Sequence, residues 1–114
     1  MNIYFSGLGG VGVGPLSEIA LDAGHHVTGS DLQEGLVIKQ LRARGVKLVI
    51  GQDGSYLRET HAKTPLDWFV YTAALPADHP ELDPLATFTV RRVSGRDDVV
   101  LRDELAGRVQ LRAY

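Results

Sequence analysis

The sequence contains no cysteine, so disulfide staples, thiolate metal sites and cysteine nucleophiles are all excluded. No apolar run approaches the ~20 residues needed to cross a bilayer as a helix. The first residues also lack the basic stretch, apolar stretch and small-residue cleavage site of a secretory leader, so the expectation is a cytoplasmic protein. Excess charge is missing as well. Twelve basic residues against 14 acidic ones leave a formal net charge of −2, which gives no reason to expect nucleic acid as a partner. What is present is 114 residues, 44% of them hydrophobic and 23% charged. That suits a single folded domain over residues 1–114, able to bury roughly two-thirds of its unfolded surface. An enzyme that works on nucleotides normally builds its site between two or more domains, and this length supplies one.

Strand-like and helix-like segments alternate. Residues 3–6 form a β-rich run that stops at a glycine cluster, after which Val13, Leu16, Ile19, Ala20 and Ala23 recur at helical spacing up to Gly24, a residue suited to a left-handed cap. A second strand over residues 26–30 ends at Asp31. A second helix follows, with Leu36, Val37, Leu41 and Ile38 as candidates for its buried side and Gly45 as its stop. Residues 46–50 have the apolar character of a strand buried on both faces. A short helix is expected around Tyr56 and Leu57, a fourth strand over residues 67–71, and a loop from Thr72 to Pro76. Pro80, Glu81 and Leu82 suggest the start of another short helix, residues 87–93 a fifth strand, and residues 97–109 a terminal helix. Trp68 and Phe69 fall inside the fourth strand and read as core. This order predicts an α/β fold, a Rossmann-like open parallel sheet of about five strands with helices on both faces.

Five of the 13 glycines stand within the eight positions 7–14. Gly7, Gly9 and Gly12 form a Gly-x-Gly-x-x-Gly pattern between a predicted strand and a predicted helix, the context in which that pattern has meaning. The first glycine permits a tight turn, the second lets backbone approach a diphosphate, and the third brings helix and strand together. The helix N-terminus offers unpaired N–H groups and a positive dipole end to an anion. Asp31, 22 residues after Gly9, closes the second strand, where an acid can accept hydrogen bonds from ribose hydroxyls. No Gly-Lys-Ser/Thr occurs anywhere in the chain, so a P-loop for phosphoryl transfer is excluded and a nucleotide diphosphate held as a ligand is favoured. On these residues alone, NAD(H) with Asp31 on the adenosine ribose is the commonest solution, which makes an NAD-binding module of an oxidoreductase or a nucleotide sensor one reading.

A series of motifs supports another. The cluster from Gly7 to Gly14 is followed by Gly29-Ser30-Asp31-Leu32, by Leu41 with Gly45-Val46, and by Gly51-Gln52-Asp53. Further on come Tyr71-Thr72-Ala73-Ala74-Leu75, His79-Pro80-Glu81-Leu82 and Val100-Leu101-Arg102-Asp103-Glu104-Leu105. In this order, over nearly the whole chain, they resemble the N-terminal domain of the Mur ligases. The resemblance implies a role in cytoplasmic peptidoglycan precursor synthesis, with this domain holding the UDP moiety of UDP-N-acetylmuramate or a related UDP-sugar. ATP and Mg²⁺ would belong to a central domain that this chain lacks, and the amino acid to a C-terminal domain, also lacking. The chain alone is therefore expected to have no ligase activity. The resemblance assigns the diphosphate to the backbone of Gly9, Gly10, Val11, Gly12, Val13 and Gly14, with Gly7 also among the UDP-sugar-binding residues, the uridine to Ser30 and Asp31, and the opposite wall to Thr72, Ala73 and Ala74. It assigns no catalytic, cofactor or metal residue to this chain. Gly35 and Ile38 stand where the family usually has serine and threonine, Gln52 where it commonly has histidine, and His79 where it commonly has asparagine.

Other constellations are blander. The four histidines form no ligand cluster and read as surface or loop residues. Asp97-Asp98 and Asp103-Glu104 are adjacent pairs that diverge on a helix, which suits a solvated face better than acid–base chemistry. No serine sits in a Gly-x-Ser-x-Gly elbow.

Overall fold

A computed structural model of the chain describes residues 1–72, 75–84 and 91–94. The element order is β1 (Asn2–Ser6), α1 (Val13–Asp22), β2 (His26–Asp31), α2 (Leu36–Ala43), β3 (Lys47–Ile50), α3 (Ser55–Lys63), β4 (Trp68–Tyr71) and β5 (Arg91–Ser94). The strands pair in parallel in the order β3-β2-β1-β4-β5. The chain therefore winds outward from β1 through β2 to β3, then crosses to the other side of β1 for β4. The register sets Ser6 beside Ser30 and Phe5 beside Val70, so the strands flanking β1 reach the same level as it does.

Period-two alternation in β1 divides the core. Ile3 and Phe5 face a cluster with Val27, Trp68 and Val70 that is covered by Val13, Leu16 and Ala20 of α1 and by Ile38 and Leu41 of α2. Tyr4 faces the opposite layer, where it meets Phe69, Leu66 and Leu57 of α3. Its ring stacks on Phe69 with centroids 5.6 Å apart. Helices thus cover both faces, as expected for a parallel sheet. Both stops expected for α1 and α2 hold: Gly24 and Gly45 take φ +85° and +88°, a region that side chains rarely enter.

Three local expectations are corrected. Leu36 and Val37 are exposed, and α2 buries Ile38 and Leu41 instead. The extended Gly35 sets the start of the helix so that these two positions, three apart, meet the sheet. The third strand is not buried on both faces: β3 lies at one edge of the described sheet, its residues are exposed or half-buried, and Lys47 interrupts its apolar run. Residues 80–83 form tight turns rather than the start of a helix, with bonds from Leu82 N–H to the His79 carbonyl and from His79 N–H to the Pro76 carbonyl, and a 3₁₀ conformation is first reached at Pro84. The helix foreseen near Tyr56 is longer than expected, at nine residues. Of the fifth strand, Arg91–Ser94 is described, with Arg92 exposed; the terminal helix and both acid pairs lie outside the described residues. Among the described residues no helix is long and apolar enough to cross a membrane.

Candidate functional site

The winding reverses at β1, and the crevice outside the carboxyl ends of β1, β2 and β4 is where open α/β sheets bind ligands. The glycine loop leaves β1 at that point. Its base is clamped by the Ser30 carbonyl, which accepts both the Gly7 N–H at 2.8 Å and the Leu8 N–H at 3.0 Å. Leu8 then turns inward and is fully buried. Gly29 makes that possible: a Cβ there would sit 2.3 Å from the Phe5 carbonyl and 2.7 Å from the Leu8 side chain. Beyond Leu8 the chain closes on itself, with Gly10 N–H bonding to the Gly7 carbonyl and Gly14 N–H to that of Gly10. Gly12 caps α1 without any side-chain hydrogen bond, leaving the positive end of the helix facing the loop, although Gly14 N–H is already bonded to Gly10 and Pro15 has no N–H to offer. Val11, at the loop tip, is 96% exposed. Leu32, Leu36, Val37 and Ile50 are exposed at the same end of the sheet.

Asp31 also sits here, but its carboxylate already has protein partners. One oxygen accepts the Gly9 N–H at 2.7 Å and the other the Gln33 N–H at 3.1 Å. An ionised carboxylate offers about four acceptor positions, so capacity remains. Its established contact is with the loop, however, and it holds the loop against β2. Gly9 packs between that carboxylate and Ile38.

Beneath the loop lies a buried polar network. The Glu81 side chain, 1% exposed, accepts Tyr4 OH at 2.5 Å, Ser6 Oγ–H at 2.7 Å and Ser30 Oγ–H at 2.7 Å. Gln52 Nε2 lies 3.3 Å from Ser6 Oγ and 3.2 Å from Ser30 Oγ, donating to both hydroxyls. The Gln52 carbonyl oxygen lies 3.1 Å from His79 Nε2, and His79 Nδ1 accepts the Glu81 backbone N–H at 3.1 Å. With Nδ1 accepting, Nε2 carries the proton and donates to Gln52, so the circuit closes with one consistent direction of donation. Burial, and next the charge on Glu81, push the Tyr4 phenol well above its ordinary range.

The structure brings together Gly7, Gly9, Gly10, Val11, Gly12, Val13, Gly14, Ser30 and Asp31 at one end of the sheet. Thr72 follows β4 at that same end and is exposed, its carbonyl accepting the Leu75 N–H at 3.0 Å; Ala73 and Ala74 lie outside the described residues. Gly12 does not bring helix and strand together, because nothing lies within 4 Å of where its Cβ would be. Gly14 does make a close approach, but to the loop: its Cβ would stand 2.8 Å from the Leu8 carbonyl. Ser30 turns its hydroxyl toward Glu81 and presents its carbonyl to the loop. The histidines are not simply surface residues: His25 is buried, His61 lies on α3 with Nδ1 accepting the Leu66 N–H, and His79 joins the network. Gly29, Gln52 and Glu81 stand in the motifs, but sequence reasoning gave none of them a role at the site. A cleft of about 170 Å³ beside α3, lined by His26, Thr28, Lys47 and Glu59 among others, opens away from the glycine loop and contains none of its residues.

Comparison with known proteins places this geometry. The pattern of the Mur ligase family, catalytic domain, matches residues 2–98. The chain belongs to the Mur ligase family. It is 40% identical over 80 residues, 70% of its length, to the UDP-N-acetylmuramate–L-alanine ligase of Clostridium novyi, of which this covers 16%. Over 94 residues it is 36% identical to the ligase of that name in Chloroflexus aggregans, covering 82% of this chain and 19% of that one. Two solved structures share the fold. A murein peptide ligase from Psychrobacter arcticus superposes with TM-score 0.70 at 28% identity, over 87% of this chain and 20% of its own. The UDP-N-acetylmuramate–alanine ligase of Thermotoga maritima gives 0.72 at 24% identity, over 94% and 23%. The chain thus spans under a fifth of the length of the curated relatives.

Two of the departures that the resemblance implies lie side by side. Gln52 and His79 bond to each other across the network. A third, Ile38, is 1% exposed and part of the core below Gly9, a place where a methyl-rich side chain fits and a hydroxyl would need a partner.

Proposed function

We propose that this chain holds the UDP moiety of UDP-N-acetylmuramate, or of a related UDP-sugar, as the substrate domain of an ATP-dependent, ADP-forming amide ligase in cytoplasmic peptidoglycan precursor synthesis, nearest in kind to a UDP-N-acetylmuramate–L-alanine ligase. The observation that carries the reading is the glycine loop at the switch point of the sheet, opening onto the uncapped N-terminus of α1. A diphosphate there meets the glycine-loop backbone and the positive end of the helix without needing a lysine. Asp31 stands at the border of that site, where its remaining lone pairs face a ribose better than a second anion. The exposed Val11, Leu32 and Leu36 give the base and sugar apolar surface to lie against.

The division of labour follows from the same residues. This chain binds and orients the nucleotide-sugar; ATP, Mg²⁺ and the amino acid belong to the other domains of a complete ligase. With no Gly-Lys-Ser/Thr, the 114 residues by themselves are expected to release no phosphate from ATP in the presence of UDP-N-acetylmuramate and amino acids. Calorimetric titration tests the binding step directly. UDP-N-acetylmuramate should bind more tightly than NAD⁺ or NADH. The reverse order would replace this reading with a dinucleotide-binding module.

A further inference from the structure

Glu81 lies 75 residues from Ser6 and 51 from Ser30 in the chain, yet binds both hydroxyls through a single carboxylate oxygen. Ser6 and Ser30 are direct register partners at the ends of β1 and β2. Ser6 leads straight into the glycine loop, and the Ser30 carbonyl clamps the loop's first two N–H groups. The two strand ends that define the loop's base are thus held by one buried carboxylate, which is itself seated by Tyr4 OH and by the tight turn through His79. A carboxylate is costly to bury, and among the described residues three hydroxyl donors compensate it. Such an arrangement leaves little freedom in where Ser6 and Ser30 sit, and so in where the loop begins.

Resting on the reading of the loop as the diphosphate site, we propose that Glu81 is a positioning residue for the nucleotide-sugar: through Ser6 and Ser30 it sets the glycine loop in its anion-binding shape. It touches no ligand. Its influence travels across one hydrogen bond to each serine and from there into the loop backbone.

The test uses the full 114-residue chain, ¹⁵N-labelled, with UDP as the probe. Glu81→Gln keeps the shape but removes the charge and one of the two acceptor oxygens, so an amide N–H must face either the two serines or Tyr4 OH. Ser30→Ala removes the same link from the other side while leaving the carbonyl clamp in place. Both variants should shift the amide resonances of Gly7, Leu8 and Gly9 in the ligand-free chain and weaken UDP binding about tenfold, the effect of one charge-assisted hydrogen bond. Because both break the Glu81–Ser30 contact, the losses in the double variant should be clearly less than additive. Unmoved loop resonances with unchanged UDP affinity in folded Glu81→Gln would overturn the proposal, and so would fully additive losses in the double variant. Should Glu81→Gln fail to fold, the same two readouts on Ser30→Ala decide the matter. If the unaltered chain does not bind UDP, the diphosphate reading falls, and the ligand-free loop resonances still judge Glu81 alone.

Discussion

At Gly29 the lack of a side chain is a packing requirement set by two neighbours at once, the Phe5 carbonyl and the Leu8 side chain. Gly29→Ala should cost about 3 kcal/mol or more in urea unfolding, at the upper end of overpacking effects, because the obstructing atoms include backbone. Gly12 is the opposite case. Its backbone is already helical and a Cβ meets nothing within 4 Å, so Gly12→Ala should leave stability unchanged or raise it slightly. Gly12→Val should fold but bind UDP-N-acetylmuramate weakly, since the added methyl groups stand where the ligand must approach; calorimetry on the folded variant checks this. Tyr4 supplies a pH-dependent prediction. Its folded pKa lies above the unfolded value near 10, so its contribution is whole below about pH 10 and is lost as pH rises beyond it. Tyr4→Phe should cost about 2 kcal/mol at pH 8, and the gap to the unaltered chain should narrow from pH 10 upward, as read by urea unfolding at each pH. The other tyrosines are common to both chains and cancel in that difference. From the residue string, the placement of Gly7, Gly9 and Asp31 at one end of the sheet was readable because the glycine spacing and the strand-terminal acid are local signals. Gly29 was not, since its constraint comes from a loop residue folded back over it.

Among the elements, the tight turns over residues 76–84 carry the most that was hidden. Their sequence, with prolines at 76, 80 and 84, suggested a broken helix, and only the closed fold shows them delivering Glu81 and His79 beneath the glycine loop. The distances involved, tens of residues along the chain, leave no periodicity to read. The α2 face was misjudged for a related reason: Leu36 and Val37 are apolar, but the start of the helix at Gly35 turns them outward. The circuit formed by Gln52 and His79 yields a prediction at this scale. Asparagine at 79 can accept the Glu81 N–H through its own carbonyl, two residues on, and offer its amide to a histidine at 52. Gln52→His and His79→Asn should therefore each lower the Tm, while the double exchange recovers most of the loss. A coupling of roughly 1 kcal/mol or more between the two sites is expected for residues in contact. Simple additivity would mean that the 3.1 Å contact contributes little.

For the whole molecule, the alternation of strands and helices was enough to foresee a parallel sheet covered on both faces, because that pattern has few right-handed solutions. Which strand would be the edge was beyond it: β3 and the interior strands differ little in composition, and only the crossing to β4 decides which is flanked. A ligand that fits the crevice acts on this whole. UDP-N-acetylmuramate at a hundred times its dissociation constant should add about 2.7 kcal/mol to stability, raising the Tm of a domain this size by about 10 °C or more. A thermal scan with NAD⁺ in its place should show little change.

The central place of β1 also governs how the chain reaches this state. Its first strand is hydrogen-bonded on one side to β2 and on the other to β4, where Ile3 meets Trp68, and Asn2 and Asp67 exchange two further bonds. A ribosome would therefore release the innermost strand first and its second neighbour some sixty-five residues later. Until that neighbour emerges, one edge of β1 stays open to mispairing. Closing so long a loop before the pairing can reward it slows the search. The waiting time for β4, more than the strength of any one contact, would set how fast this domain folds and how long its apolar strand is exposed to other chains.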